Sequence, residues 1–148
     1  MNQDENKIIV PNNNDLTLVD EMTKSSKQTY SSIKGSTLEE KKQLFNAMSK
    51  CDYRVVDKLG ETILLKDLII QKYDKVNEET GVLESKKRII LVDNEGKTYA
   101  SASNGLFNSI SRLFGILGTP DTWSEPIPIQ VIETETKNKQ KTYEIKTI

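Results

Sequence analysis

Apolar positions in the second half of the chain alternate with polar ones or form short continuous runs, separated by turn-forming residues. This pattern is typical of β-strands rather than helices. The segment Asp93-Asn94-Glu95-Gly96 lies between two of these runs and has the composition of a hairpin loop, with glycine where a positive φ is favoured. Five strands are predicted, at residues 67–76, 82–92, 97–103, 127–136 and 141–148.

One strongly periodic helix is predicted between the third and fourth strands. Asn104 provides a capping side chain at its start, and Gly118 followed by Pro120 ends it. Its apolar face is formed by residues three or four positions apart, which are Leu106, Ile110, Leu113, Phe114 and Leu117.

The predicted order of elements is three strands, one helix and two strands. This is the order of the OB-fold, a five-stranded barrel with a helix between strands three and four. An open α+β sheet shares the order and remains an alternative. We therefore expect a mainly β protein with an OB-fold domain at residues 67–148. On strand three, the small Ala100 and Ala102 would let the helix approach, which leaves Tyr99 on the opposite face.

The N-terminal part of the chain is predicted to be an extension of this domain. Residues 1–35 have few apolar groups to bury, so a flexible tail is expected there. Residues 36–66 are expected to form a helical extension, with a helix at about 37–50. Ser36 and Glu39 have the spacing of a capping box, in which the hydroxyl accepts from the Glu39 amide.

A short apolar patch interrupts the polar tail at Ile8, Ile9 and Val10. It predicts a strand that adds to the sheet edge of a neighbouring molecule, so oligomerisation through the tail is expected. A tail without any such contact is the alternative.

The composition excludes several classes of function. The 148 residues carry 21 basic and 22 acidic side chains but no histidine, which removes His-based triads and His-liganded zinc sites. The single Cys51 can form neither an internal disulfide nor a thiolate metal cage. The glycines are scattered and form no phosphate-binding loop. We therefore expect no enzymatic activity, no metal and no cofactor.

Apolar runs such as Ile89-Ile90-Leu91-Val92 are too short to cross a bilayer. The first residues lack both the basic start and the apolar core of a secretion signal. A cytoplasmic protein without membrane contact is expected.

Basic and aromatic residues are interleaved on the predicted strands and in the loop between the last two. This mixture suits single-stranded nucleic acid, because bases stack on rings while cationic groups contact phosphates. The usual OB-fold binding face comprises strands two and three with the neighbouring loops, and Tyr99 on strand three is the predicted stacking ring. The predicted nucleic-acid-binding residues are Tyr99, Lys86, Lys87, Arg88, Lys72, Tyr73, Lys137, Lys139 and Lys141.

Two features oppose strong binding to a polyanion. The loop Asn77-Glu78-Glu79-Thr80 between strands one and two is acidic. The formal net charge of −1 gives little long-range attraction. The alternative function is therefore a protein–protein adaptor with an OB-like barrel and no nucleic-acid binding.

Three segments of the chain, taken in order, resemble one protein family. They are Ile90-Leu91-Val92-Asp93-Asn94-Glu95-Gly96-Lys97-Thr98-Tyr99-Ala100, Leu106-Phe107-Asn108-Ser109 and Thr119-Pro120-Asp121-Thr122-Trp123-Ser124-Glu125-Pro126-Ile127. With Gly60-Glu61-Thr62-Ile63 ahead of them, residues 58–148 are similar to the single-stranded-DNA-binding proteins of Gram-positive conjugative plasmids and phages, including PrgE-type plasmid proteins.

This resemblance implies an OB-fold and a role in handling single-stranded DNA during transfer or replication. It also implies a binding role for Tyr99 and for the basic loop residues. Together with the strand pattern, it predicts a sequence-tolerant binder that coats single-stranded DNA, or RNA, of a mobile element.

Overall fold

The computed structural model describes residues 28–148, which form seven strands and two α-helices. Two short 3-10 turns, Val55–Lys58 and Pro120–Thr122, join some of them. The elements are β1 (Thr29–Ser31), α1 (Leu38–Ser49), β2 (Tyr53–Arg54), β3 (Ile63–Val76), β4 (Leu83–Asp93), β5 (Thr98–Ser101), α2 (Asn104–Leu117), β6 (Ile127–Glu135) and β7 (Lys141–Thr147).

All seven strands belong to one curled sheet. Its hydrogen-bonded order is β2-β5-β4-β3-β6-β7, and β1 pairs with β3 outside this path. The 14-residue β3 is shared by both parts of the curled sheet, because its first residues pair with β6 and the strand from Leu65 onward pairs with β4, with a bulge between Leu65 and Asp67. The result is a curled half-barrel consistent with an OB-like barrel, and the five predicted strands correspond to β3 through β7.

The strand count differs from the prediction because the N-terminal part joins the sheet. β1 pairs antiparallel with β3, and β2 pairs parallel with β5. The flexible tail predicted for 1–35 is therefore wrong for residues 29–31, and the helical extension predicted for 36–66 contains a strand. The first barrel strand also begins earlier than predicted, at Ile63 rather than 67.

Two apolar layers stabilise the sheet. On the inner face, Leu68 of β3 and Leu91 of β4 are buried against Ile110 of α2. On the outer face, Ile69 and Ile90 are buried under α1. Because both faces are covered here, these strands show continuous apolar runs in the sequence rather than simple alternation.

The N-cap of α1 lies one residue later than predicted. The amide of Glu40 donates to Thr37 Oγ1 at 3.1 Å, and the amide of Thr37 donates to Glu40 Oε1 at 3.2 Å. The capping box therefore uses Thr37 and Glu40, where the sequence predicted Ser36 and Glu39. Ala47, the buried residue of α1, packs on the outer face of the sheet.

Helix α2 matches its predicted range and lies along β7. Its cap is Ser103 rather than the predicted Asn104, since the Leu106 amide donates to Ser103 Oγ at 3.2 Å. The amide of Ile145 on β7 donates to Ser109 Oγ at 2.8 Å, which connects the strand to the middle of the helix.

Within residues 28–148, no helix is long and apolar enough to cross a membrane. The predicted oligomerisation residues Ile8, Ile9 and Val10 lie outside the described part of the chain.

Candidate nucleic-acid interface

A groove of about 460 Å³ lies at β4 and β5, the second and third strands of the OB-like barrel. In an OB-fold these two strands and the neighbouring loops bind oligonucleotides. The groove combines aromatic, basic and small side chains from five parts of the chain. Its lining residues are Arg54, Val56, Tyr73, Arg88, Ala100, Ser101, Ala102, Ser103 and Tyr143.

Two tyrosine rings line the groove. Tyr73 is 38% exposed and lies where the β3–β4 hairpin extends beyond the rest of the sheet. Tyr143 on β7 is half-buried, with part of its ring against the inner core. A ring held on one side and open on the other is suited to stacking on a base, because little side-chain freedom remains to be lost on binding.

The two arginines of the groove differ in how firmly they are held. Arg54 is exposed and makes a two-point ion pair with Asp57, with N–O distances of 3.1 and 3.2 Å. An exposed pair of this kind contributes little to stability, so the guanidinium is available to a phosphate. Arg88 instead donates from Nη1 to the Met48 carbonyl at 2.7 Å and from Nη2 to Cys51 Sγ at 3.6 Å.

Arg88 therefore has a structural role as well as a position in the groove. The last turn of α1 contains no basic residue of its own, and Arg88 supplies a positive charge and a donor to the carbonyls there. This contact fixes the end of α1 against β4.

Small residues form the floor of the groove. Ala100 pairs with Ile90 across β5 and β4, so both belong to the outer face. With Ser101 and Ala102 beside it, Ala100 lines the same groove as the two tyrosine rings. The sequence predicted that Ala100 and Ala102 would face the helix, and the structure corrects this.

The same register corrects the position of Tyr99. Its partner on β4 is Leu91, an inner-face residue, so the Tyr99 ring lies in the main core and is only 9% exposed. The ring contacts that of Tyr53 with centroids 5.2 Å apart, and its hydroxyl donates to Asp93 Oδ2 at 3.0 Å. Tyr99 does not lie on an exposed stacking face.

The environment of Tyr99 also keeps its hydroxyl protonated. Burial raises the pKa of Tyr99 far above its usual value, and the hydrogen bond to the Asp93 carboxylate raises it further. Below pH 10 the phenol is neutral in both the folded and the unfolded chain. Above that pH only the unfolded chain ionises, so this residue's contribution to stability falls as the pH rises.

We expect Tyr99→Phe to lower stability without changing affinity for DNA. The change removes a buried hydrogen bond and leaves one oxygen of Asp93 without that donor, at a cost of about 1–3 kcal/mol. Urea unfolding at pH 7 measures the loss, and repetition above pH 10 should show a smaller difference from the wild type. A large fall in oligonucleotide affinity with unchanged stability would contradict this core position.

The other predicted basic residues lie outside the groove lining. Lys72 and Lys87 are cross-strand partners, and Lys87 Nζ lies 4.5 Å from the Phe107 ring centroid on α2. Lys86 is the cross-strand partner of Tyr73 and forms an ion pair with Glu84 at 3.3 Å. Of the residues predicted from the sequence, the structure brings Tyr73 and Arg88 together in the groove.

The predicted lysines of the last loop are exposed in the β6–β7 turn. Lys137 and Lys139 lie at the turn itself, where Lys139 has a φ of 61°. Lys141 begins β7 two residues before Tyr143 and forms an exposed ion pair with Glu133 at 3.7 Å. These side chains continue from the Tyr143 end of the groove.

The acidic loop of the sequence forms the tip of the β3–β4 hairpin. Glu78 and Glu79 are exposed there. Hydrogen bonds from Asn77 and Lys86 lower the pKa of Glu84, which lies beside them. The hairpin tip is therefore negatively charged and would repel a polyanion beyond Tyr73.

Sequence reasoning missed Arg54 and Val56 as lining residues. They come from β2 and the turn after it, within the segment that was predicted to be a helical extension. Only the long-range parallel pairing of β2 with β5 brings them to the groove. Tyr143 was visible as an aromatic residue within a basic segment, but its place in the same groove as Tyr73 depends on long-range pairing of the strands.

A groove of rings and guanidinium groups at the second and third strands of an OB-like sheet is typical of proteins that bind unpaired nucleic acid. The family model described as phage single-stranded DNA-binding protein, of the phi29 type, matches residues 23–147. The chain therefore belongs to this family. The match is to a phage family, and the resemblance to PrgE-type plasmid proteins stays a prediction.

One relative is named "Single-stranded DNA-binding protein" and comes from Bacillus phage GA-1. It is 27% identical over 107 residues, which are 69% of this chain. The chain spans 62% of the length of that relative. No solved structure matches the chain.

Proposed function

We propose that this protein binds single-stranded DNA in the groove at β4 and β5, without sequence preference and without catalysing a reaction. The observation that carries the proposal is the convergence of two tyrosine rings and two arginines on one groove. Membership of the phage single-stranded DNA-binding family supports it.

In the proposed mechanism, bases stack on Tyr73 and Tyr143 while phosphates contact Arg54 and Lys86. Each stacked base contributes about 1–3 kcal/mol, so two rings already give useful affinity. Lys137, Lys139 and Lys141 would neutralise phosphates beyond the Tyr143 end. Stacking does not depend on which base is present, because every base has a π face, and this is the physical basis of sequence tolerance.

The charge distribution sets the expected strength of binding. With a net charge of −1 and an acidic hairpin tip, long-range attraction to DNA is weak. Affinity therefore rests on stacking and short-range contacts, and the protein is expected to favour single strands over duplex DNA, whose bases are already stacked.

Fluorescence anisotropy with labelled oligo-dT tests the proposal directly. We expect binding at low salt. The slope of log K against the logarithm of the salt concentration should be about −0.7 for each phosphate contact. A duplex of the same length should bind more weakly, and an oligo-rU competitor reports the preference for DNA over RNA. If oligo-dT does not bind even in dilute buffer, the alternative of a protein–protein adaptor gains support.

The biological setting that we propose is the coating of single-stranded DNA of a phage or conjugative plasmid during replication or transfer, in the cytoplasm. Coating would be cooperative if Ile8, Ile9 and Val10 pair with the sheet edge of a neighbouring molecule. The apolar sequence of that segment supports this part of the proposal.

A further inference from the structure

Helix α1 presents a second surface on which an aromatic ring and basic groups occur together. Phe45 is 71% exposed and Leu38 is 67% exposed, although both are large apolar residues. Lys41 and Lys42 are also exposed. Residues three, four and seven positions apart share one face of a helix, so these four side chains form a continuous strip, which we call the α1 ridge.

Neither of the two carboxylates of α1 is a member of this ridge. Glu40 is directed at the start of the helix, where its Oε1 accepts from the backbone amides of Ser36 and Thr37. Glu39 is about 100° around the helix from Leu38, and it borders the ridge beside Lys42, which follows it by three residues. The α1 ridge combines one ring and two ammonium groups without a carboxylate among its members.

The α1 ridge approaches the groove at the end of the helix. Asn46, which is about 100° around the helix from Phe45, lies beside Gly96 in the β4–β5 turn. At the end of α1, the groove residue Arg88 donates to the Met48 carbonyl at 2.7 Å. Phe45 precedes Met48 by three residues, so the two are neighbours on the helix surface, about 4.5 Å apart along its axis.

From this placement we propose that single-stranded DNA leaving the groove continues past Arg88 onto the α1 ridge. A base would stack on Phe45, and phosphates would contact Lys41 and Lys42. This inference rests on the proposed function and extends the same strand path by a second stacking platform. An unpaired polynucleotide fits the ridge because it offers base faces to the ring and phosphates to the ammonium groups.

Oligonucleotide length separates the ridge from the groove. OB-folds bind about 4–16 nucleotides, so dT oligomers of about 4 and about 16 nucleotides cover the two ends of this range. We expect Phe45→Ala to weaken binding of the longer oligomer by about 5- to 150-fold, the loss of one stacked base. Binding of the shorter oligomer, which the groove alone accommodates, should not change. Ile116→Ala is the matched control, because Ile116 is an apolar residue of α2 that is 82% exposed.

The salt dependence of binding tests the basic residues of the ridge. We expect Lys42→Gln to reduce the slope of log K against log salt by about 0.7 for the longer oligomer. Lys66→Gln removes another exposed charge, on β3, and should leave the slope unchanged. An unchanged slope in Lys42→Gln would remove this lysine from the path.

The outcomes distinguish this inference from the proposed function. If the wild type binds neither oligomer, both fail. If the wild type binds and Phe45→Ala loses nothing, or loses equally with both lengths, the ridge is not an extension of the path and the inference alone is overturned. A changed sedimentation coefficient in Phe45→Ala with unchanged affinity would show that the ridge is a contact between copies of the chain, which also overturns it.

Discussion

Tyr73→Ala should weaken binding of single-stranded DNA by about 1–3 kcal/mol while leaving the fold intact. The ring is 38% exposed and lies on the hairpin extension, where its loss opens no cavity in the core. Anisotropy titration with oligo-dT at low salt measures the loss. Thermal unfolding of the same variant should match the wild type.

Tyr73→Phe is the matched control for this prediction. It keeps the stacking ring and removes only the hydroxyl, so its affinity should remain close to that of the wild type. If Phe and Ala at this position weaken binding equally, the hydroxyl makes the contact and the stacking mechanism is wrong for this residue. Adding Tyr143→Ala to Tyr73→Ala should bring the total loss to at most about 6 kcal/mol if the rings act independently.

Much of the fold was predictable because its local signals agree with its long-range pairing. The hairpin loop at Asp93–Gly96 fixes the register of β4 and β5, and the periodic residues of α2 place that helix between the third and fourth barrel strands. The two N-terminal strands were not predictable, because β1 and β2 are three and two residues long. These two strands form only because they pair with β3 and β5, and such long-range pairing leaves no local pattern in the sequence.

The candidate site was predictable only in part, for a similar reason. Tyr73 and Arg88 carry a local signal, since Tyr73 lies between Lys72 and Lys75 on β3 and Arg88 ends a basic triplet on β4. The predicted position of Tyr99 was wrong because the small Ala100 and Ala102 were expected to face α2, which would leave Tyr99 on the other face. In the structure, the Asp93 carboxylate on the inner face gives the Tyr99 hydroxyl a buried partner, and the small Ala100 is left on the groove floor.

Close contact between α2 and β7 connects the stability of the fold to the shape of the groove. A Cβ atom at Gly105 would overlap the hydroxyl oxygen of Thr142 and lie 3.0 Å from the carbonyl oxygen of Tyr143. The backbone of β7 cannot approach the first turn of α2 this closely unless residue 105 is glycine. The neighbouring Tyr143 is one of the two rings that line the groove.

We expect Gly105→Ala to destabilise the protein by about 1–3 kcal/mol, because overpacking forces β7 away from the helix. It should also weaken oligo-dT binding, since Tyr143 moves with the strand. Gly115→Ala is the matched control on the same helix, where an added Cβ meets nothing within 4 Å. Because alanine has a higher helix propensity than glycine, Gly115→Ala should stabilise the protein by up to about 1 kcal/mol. Urea unfolding compares the two, and equal stability changes in both variants would show that the approach of β7 to Gly105 is not tight.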